Sequence, residues 1–326
     1  MSIKEIILDN NILTVSILNL GATIFRVIVP TRENKKIDVV LGLENKEQYT
    51  DNNVYFGATI GRCTNRIENA QFTLNGKKRF LSANANPHHI HGGVNNFTSK
   101  FFDVIEQSNT HVILETVSPD GEDGYPGDLT FRVTYSLQGS QLHILYNAVC
   151  NQDTILNVTN HAYFNLNGEG TVLKHSVMSP ATTVCYNDPL GIPEGAFPVA
   201  NTPFDFTKPE TIDVFQRIPH PQTEMFNGYD NHYFVPDSGY RHMISVKGEI
   251  SQIQLDVFST QEGFQFFTAN LMPEIIGKNG VTYFPHCAFC VEAQTAPNAI
   301  NLPFNCNPVL LAGETYFQKT VFAFTN

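Results

Sequence analysis

The chain has 326 residues, of which 42% are hydrophobic and only 16% charged, with 25 Phe, 12 Tyr and no Trp; that balance supplies a large core and points to aromatic, β-rich packing. A formal charge of −11 opposes any polyanionic partner, which excludes nucleic acid and acidic membrane surfaces while leaving a small neutral ligand unaffected. No run approaches about 18 consecutive apolar residues, the charged N-terminus lacks a signal-peptide pattern, and the six cysteines are dispersed, so a cytoplasmic chain with free thiols is expected.

Short alternating runs separated by turn residues recur along the chain, and no amphipathic pattern lasts three helical turns. The first two strands are predicted at residues 13–18 and 23–29. Segment 57–67 then carries Arg62 and Arg66 just after small residues, one suited to a ligand oxygen and the other to packing. It has neither the Gly-Lys-Thr of a phosphate loop nor a following helix. Segment 84–93 contains His89-Ile90-His91, a His-x-His spacing with which cupin metal sites begin. The residues that follow, Gly92-Gly93-Val94-Asn95-Asn96, supply no Glu to complete such a site, so no metal is expected.

A strand at 111–116 precedes the clearest pattern in the chain. Phe131, Val133, Tyr135 and Leu137 form one apolar face, and Leu142, Ile144, Tyr146 and Ala148 answer it across Gly139-Ser140, which predicts a β-hairpin. Segment 157–168 sets His161 among amide and aromatic side chains able to orient an imidazole and to bind hydroxyl groups. From the residues alone, a structural and a catalytic histidine are both open there. After a strand at 263–271 comes 285–294, where a period of two puts Cys287, Phe289, Val291 and Ala293 toward a core. His286, Ala288, Cys290, Glu292 and Gln294 share the other face, which suits either the floor of a polar cleft or a solvated surface. A Glu in so apolar a segment is partly desolvated, which raises its basicity. Cys287 and Cys290, three apart on a strand, face opposite ways and make no metal pair. A last strand is predicted at 315–324. Pro and Gly are spread evenly with no linker or repeat, so one all-β domain, a large β-sandwich spanning 1–326, is expected.

In their order, these segments resemble the galactose mutarotase (aldose 1-epimerase) family. Gly61-Arg62 with Asn65-Arg66-Ile67 is similar to that family's GR-x-x-NRI, and Asn84 with Ile90-His91-Gly92-Gly93 to its Asn and LHGG element. Ser118-Pro119-Asp120-Gly121-Glu122-Asp123-Gly124-Tyr125-Pro126-Gly127 is close to SPDGEEGYPG, and Asn160-His161-Ala162-Tyr163-Phe164-Asn165 to NHSYFN. Gly228-Tyr229-Asp230, Gln265-Phe266-Phe267-Thr268, Cys290-Val291-Glu292-Ala293-Gln294 and the closing 309–316 complete eight elements in register from about residue 15 to the C-terminus.

The resemblance implies a β-supersandwich and a cofactor-free anomer interconversion of free aldoses such as D-galactose or D-glucose. By it, Glu292 is the general base, His161 the general acid, and His91 a support for the ring oxygen; Arg66, Asn65, Asp230 and Gln265 hold sugar hydroxyls. The partner implied is a small aldose, with the chain a monomer or homodimer. Departures stand at Phe102, where the family often has Trp for stacking, at Asn96 for Gly, at Asp230-Asn231-His232 for Asp-His, and at Pro297-Asn298 for Pro-Asp. They bear on substrate preference. A non-catalytic sugar-binding module and an epimerase of a phosphorylated hexose are the alternatives; the second wants a basic cluster beyond Arg62 and Arg66.

Overall fold

The computed structural model describes residues 2–304 and 306–326. Its architecture is all-β, built on three larger sheets. A nine-stranded antiparallel sheet has at its centre Leu129–Gln138, Gln141–Cys150, Thr315–Thr325 and Gln254–Ser259, in that spatial order. A five-stranded sheet runs Pro193–Pro198, Thr183–Asn187, Asp230–Phe234, Gly263–Phe267, Cys290–Gln294. A four-stranded sheet gathers Glu5–Asp9, Thr14–Leu18, Thr23–Pro30 and Lys36–Asp38. The largest apolar cluster draws on all three, from Ile6 to Phe324. Helices among the described residues are short, such as Val214–Arg217 and Pro221–Phe226, and none is long and apolar enough to cross a membrane.

The predicted hairpin forms with the expected register. Leu137 pairs Leu142, Tyr135 pairs Ile144, Val133 pairs Tyr146 and Phe131 pairs Ala148. Gly139 turns the chain at φ 57°, a conformation that costs glycine nothing. Every residue of the predicted apolar face is buried, because this face meets the other layers, while the alternates along Leu129–Gln138 are half-buried or exposed.

Two predicted strands are shorter than their apolar runs. The strand expected over 263–271 ends as Gly263–Phe267, because Thr268 and Asn270 turn their side chains back onto the Tyr229 backbone and Ala269 sits at φ 49°. The strand expected over 285–294 is ordered only as Cys290–Gln294. His286 lies at φ 64°, with its N–H donated to the Ala269 carbonyl and its ring packed against Phe215. That break removes His286 from the face it was expected to share with Glu292. The solvated-surface alternative also fails, since all of Cys290–Gln294 is buried on both faces.

Candidate active site

On one face of the five-stranded sheet, register places Asp230 opposite Phe267 and Phe267 opposite Cys290, with Gln265 opposite Glu292 one pair along. Residues opposite one another across strands project to the same side. This sheet therefore presents two carboxylates, an amide and a thiol together, floored by the apolar core behind it. Over them the segment after Thr159–Asn160 brings His161, whose Nε2 stands 3.7 Å from Glu292 Oε1. His161 and Glu292 are 5% and 2% exposed. Its ring stacks on Tyr163 with centroids 4.9 Å apart, and Cys290 Sγ lies 3.5 Å from its Nδ1. The imidazole is thus held on both edges and one face.

The opposite wall comes from 57–67 and 84–93. The Asn65 backbone N–H donates to His91 Nδ1 at 3.1 Å, and the His91 N–H returns to the Asn65 carbonyl at 3.1 Å. Nδ1 is therefore an acceptor, which leaves the ring proton on Nε2. Asn84 pins the same loop by bonding both the N–H and the C=O of Ile90 at 2.9 Å. Gly92, at φ 86°, allows the close approach to Gly61: a Cβ there would come within 1.8 Å of the Gly61 carbonyl oxygen. Asn65, Arg66, His91, His161, Asp230 and Glu292 all line one cavity of about 220 Å³.

The two arginines take different places. Arg62 is fully buried and donates to Ser118 Oγ and to the carbonyls of Ser118, Pro119, Pro126 and Gly127, tying down turn 118–127. Arg66 lines the cavity, near enough to Asp230 to oppose the rise in its pKa. Gln265 stands one layer behind the cavity: its amide donates to Asp230 Oδ1 at 2.7 Å and fixes that carboxylate. His89 is engaged elsewhere, with Nδ1 at the Ser82 carbonyl and Nε2 at the Tyr125 hydroxyl, both 2.7 Å. The His-x-His pair does not converge, and among the described residues no group of three His, Cys, Asp or Glu is placed to hold a metal.

Burial sets the proton inventory of the pair. Glu292 is pushed well above the usual carboxylate range by desolvation, with the Asp230 charge adding to it. Desolvation lowers His161 to about 4. Ordinary values of about 4.3 and 6.5 leave a window in which the Glu is ionised and the His protonated; burial favours the reverse, a neutral acid facing a neutral imidazole. Burial likewise raises Asp230, against Arg66 and the Gln265 bond, and holds His91 well below its ordinary value, with His161 and Arg66 contributing.

Phe102 has no part in the cavity. It packs against Phe97 and Phe131 in the core, so the family Trp position bears on core packing in this chain. The aromatic surface of the cavity is supplied instead by Tyr55, whose ring lies 4.7 Å from His91 and 6.0 Å from His161, and by Phe267. Tyr55 carries no sequence signal: it sits in a loop at φ 62° with no motif around it. Leu271, Met272 and Pro273 complete the mouth.

Known proteins resemble this chain along nearly its whole length. The family model described as "Aldose 1-epimerase" matches residues 4–323. The chain is 38% identical to galactose mutarotase from Homo sapiens, covering 99% of this chain and 94% of that one. It is 33% identical to aldose 1-epimerase from Haemophilus influenzae, over 97% and 94%. A GalM/aldose epimerase homologue from C. elegans superposes with a TM-score of 0.93 at 26% identity, over 100% and 99% of the two chains. Galactose 1-epimerase from Lactobacillus acidophilus gives 0.88 at 26% identity, over 100% and 95%.

Proposed function

This chain belongs to the aldose 1-epimerase family and is an isomerase acting on carbohydrates, and we propose that it interconverts the α and β anomers of a free aldose, with D-galactose and D-glucose the first candidates. The observation that carries the reading is the His161–Glu292 pair, 3.7 Å apart in a sealed floor beneath a cavity ringed by Arg66, His91 and Asp230. Glu292 takes the proton of the C1 hydroxyl while His161 delivers one to the ring oxygen, which opens the ring to an aldehyde. Rotation about C1–C2 exposes the other carbonyl face, and the same two groups run in reverse to close it. Arg66, Asn65 and Asp230 hold the remaining hydroxyls, and His91 donates from Nε2 toward the ring oxygen. No metal or nucleotide enters this chemistry.

The neutral pair that burial favours and the charged pair that opens the ring carry the same number of protons, so the proton passes from Glu292 to His161 before the ring opens. The reactive arrangement, carboxylate with imidazolium, is a charged pair in a dry site and is costly there. Ring opening discharges both groups at once, leaving carboxylic acid and neutral imidazole, the arrangement that burial favours. Ring opening thus returns the free energy spent in forming the charged pair. Positioning and hydroxyl anchoring supply the rest.

Polarimetry on freshly dissolved α-galactose, α-glucose, α-xylose and α-arabinose tests the assignment. Enzyme-dependent acceleration toward the equilibrium rotation is expected for at least one. Rates equal to buffer alone for all four refute it.

A further inference from the structure

Behind the cavity the same sheet face continues with polar side chains that the reaction as described does not use. Glu292 Oε2, Gln265 Oε1, Gln294 Nε2 and both ring nitrogens of His232 are buried, and none has a hydrogen-bond partner among the described residues. Their owners are between 0% and 3% exposed. They are neighbours by register: His232 pairs Gln265, Gln265 pairs Glu292, and Gln294 pairs Gly263. Gly263 makes room for the ring: a Cβ on it would lie 2.5 Å from His232 Nε2, so the imidazole fills the place where a side chain would stand, beside the strand that carries Gln294.

The orphaned atoms are complementary in kind. Gln294 Nε2 and one ring nitrogen of His232 are donors; Glu292 Oε2, Gln265 Oε1 and the other ring nitrogen are acceptors. Gln265 cannot turn to help itself, because its amide is committed to Asp230 Oδ1. Gln294 is held on its other side by the Thr64 hydroxyl. Buried donors and acceptors gathered in one cluster with no direct bond among them are what ordered water satisfies in native interiors.

We propose that ordered water beside the His232 ring bridges His232 and Gln294 to Gln265 Oε1 and Glu292 Oε2, making His232 and Gln294 positioning residues for the Glu292 carboxylate. The proposal rests on the reading of Glu292 as the base. Oε1 is the oxygen that meets His161, while Oε2 is buried without a partner among the described residues. A donor held at Oε2 fixes the carboxylate plane and favours its ionised form. Burial holds His232 down to about 3, so it stays uncharged and acts as one donor and one acceptor. The other titratable groups about Glu292 are His161 and Tyr163 above it, Asp230 across the sheet and Cys290 on its own strand, with His91 and Arg66 over the cavity.

The test compares kcat, KM and the pH profile of mutarotation for wild type, His232→Phe, His232→Gln and Gln294→Leu. His232→Phe is expected to lose about tenfold in kcat, the size of one hydrogen bond to a charged group, with KM unchanged. The alkaline limb, set by ionisation of Glu292, moves up by about one unit, because loss of a donor disfavours the carboxylate. His232→Gln, which can still hold water, restores most of the rate. Should His232→Phe fail to fold, Gln294→Leu reads the same shift. A normal kcat and an unmoved limb in the folded variants overturn the proposal, as does an equal loss in His232→Phe and His232→Gln with the limb in place. Glu292→Gln separates the two claims: a fully active Glu292→Gln removes the base assignment itself, whereas an inactive one beside a normal His232→Phe removes the cluster's role alone.

Discussion

The hairpin Leu129–Gln138 with Gln141–Cys150 and the strand Cys290–Gln294 are both sheet, but they are buried in different ways. In the hairpin one face is wet, so burial alternates along Leu129–Gln138 and polar residues such as Arg132 take the outer positions. In Cys290–Gln294 both faces are dry, and the polar residues Glu292 and Gln294 are as sealed as Val291. A polar residue on the first strand is the ordinary consequence of water nearby. On the second it has no solvent to justify it, and its neighbours must provide for it. The difference separates residues that hold the fold from residues that the fold holds.

The largest expected effect breaks the comparison if it fails. Glu292→Gln should lose about 10²–10⁴-fold in kcat, since the isosteric amide keeps the shape but cannot accept the proton, while the melting temperature stays at the wild-type value or rises. A variant keeping more than half of the rate moves the base elsewhere. The hairpin gives the mirror outcome. Phe131 is fully buried, stacked 4.5 Å from Phe97 and packed on Tyr146. Phe131→Ala should cost about 3–5 kcal/mol of stability, seen in denaturant unfolding, and leave KM of the folded fraction unchanged. A KM change there would couple the core to the cavity.

That contrast also explains what the sequence disclosed. The hairpin was legible to the register, because a wet face and a dry face write a period of two into the residues. Periodicity misplaced His286, since a dry segment keeps its apolar character through a positive-φ break and hydropathy does not record the break. Glu292, His161, His91, Arg66, Asn65 and Asp230 were named from motif order and share one cavity; Gln265 proves to stand behind Asp230. Tyr55 left no trace, because a single loop aromatic has neither period nor motif. The polar cluster around His232 and Gly263 was illegible for another reason: it depends on cross-strand register over three strands, which no local window contains.

A smaller effect sharpens the division within the site. Asp230 is anchored from behind by Gln265 and lines the cavity without a direct bond to His161 or Glu292. Asp230→Asn should raise KM about tenfold with a lesser fall in kcat, as removal of ground-state anchoring does. A collapse of kcat at constant KM would place Asp230 in the proton-transfer machinery.

The last effect is one of shape. The pair works with one proton shared between its members. It is inactivated by a second proton on the acid side and by loss of the first on the alkaline side. With His161 lowered to about 4 and Glu292 raised well above its usual range, adding the second proton means protonating His161, and losing the first means ionising Glu292. The acid limb of kcat/KM therefore lies near 4. The alkaline limb lies above the ordinary carboxylate range, with a plateau between them. Ordinary reference values of about 4.3 and 6.5 would instead give a narrow bell. In His161→Gln no imidazole remains to take the second proton, so the acid limb changes its origin: activity, much reduced, now rises with pH as Glu292 ionises, and the descending limb disappears. A kcat/KM profile from about pH 4 to 10 for both proteins decides it, because the same ionisation of Glu292 ends activity in the wild type and begins it in the variant. If His161→Gln keeps the descending limb at an undiminished rate, His161 is not the acid, and His91, with its ring proton already directed to Nε2 by the Asn65 N–H, takes that place.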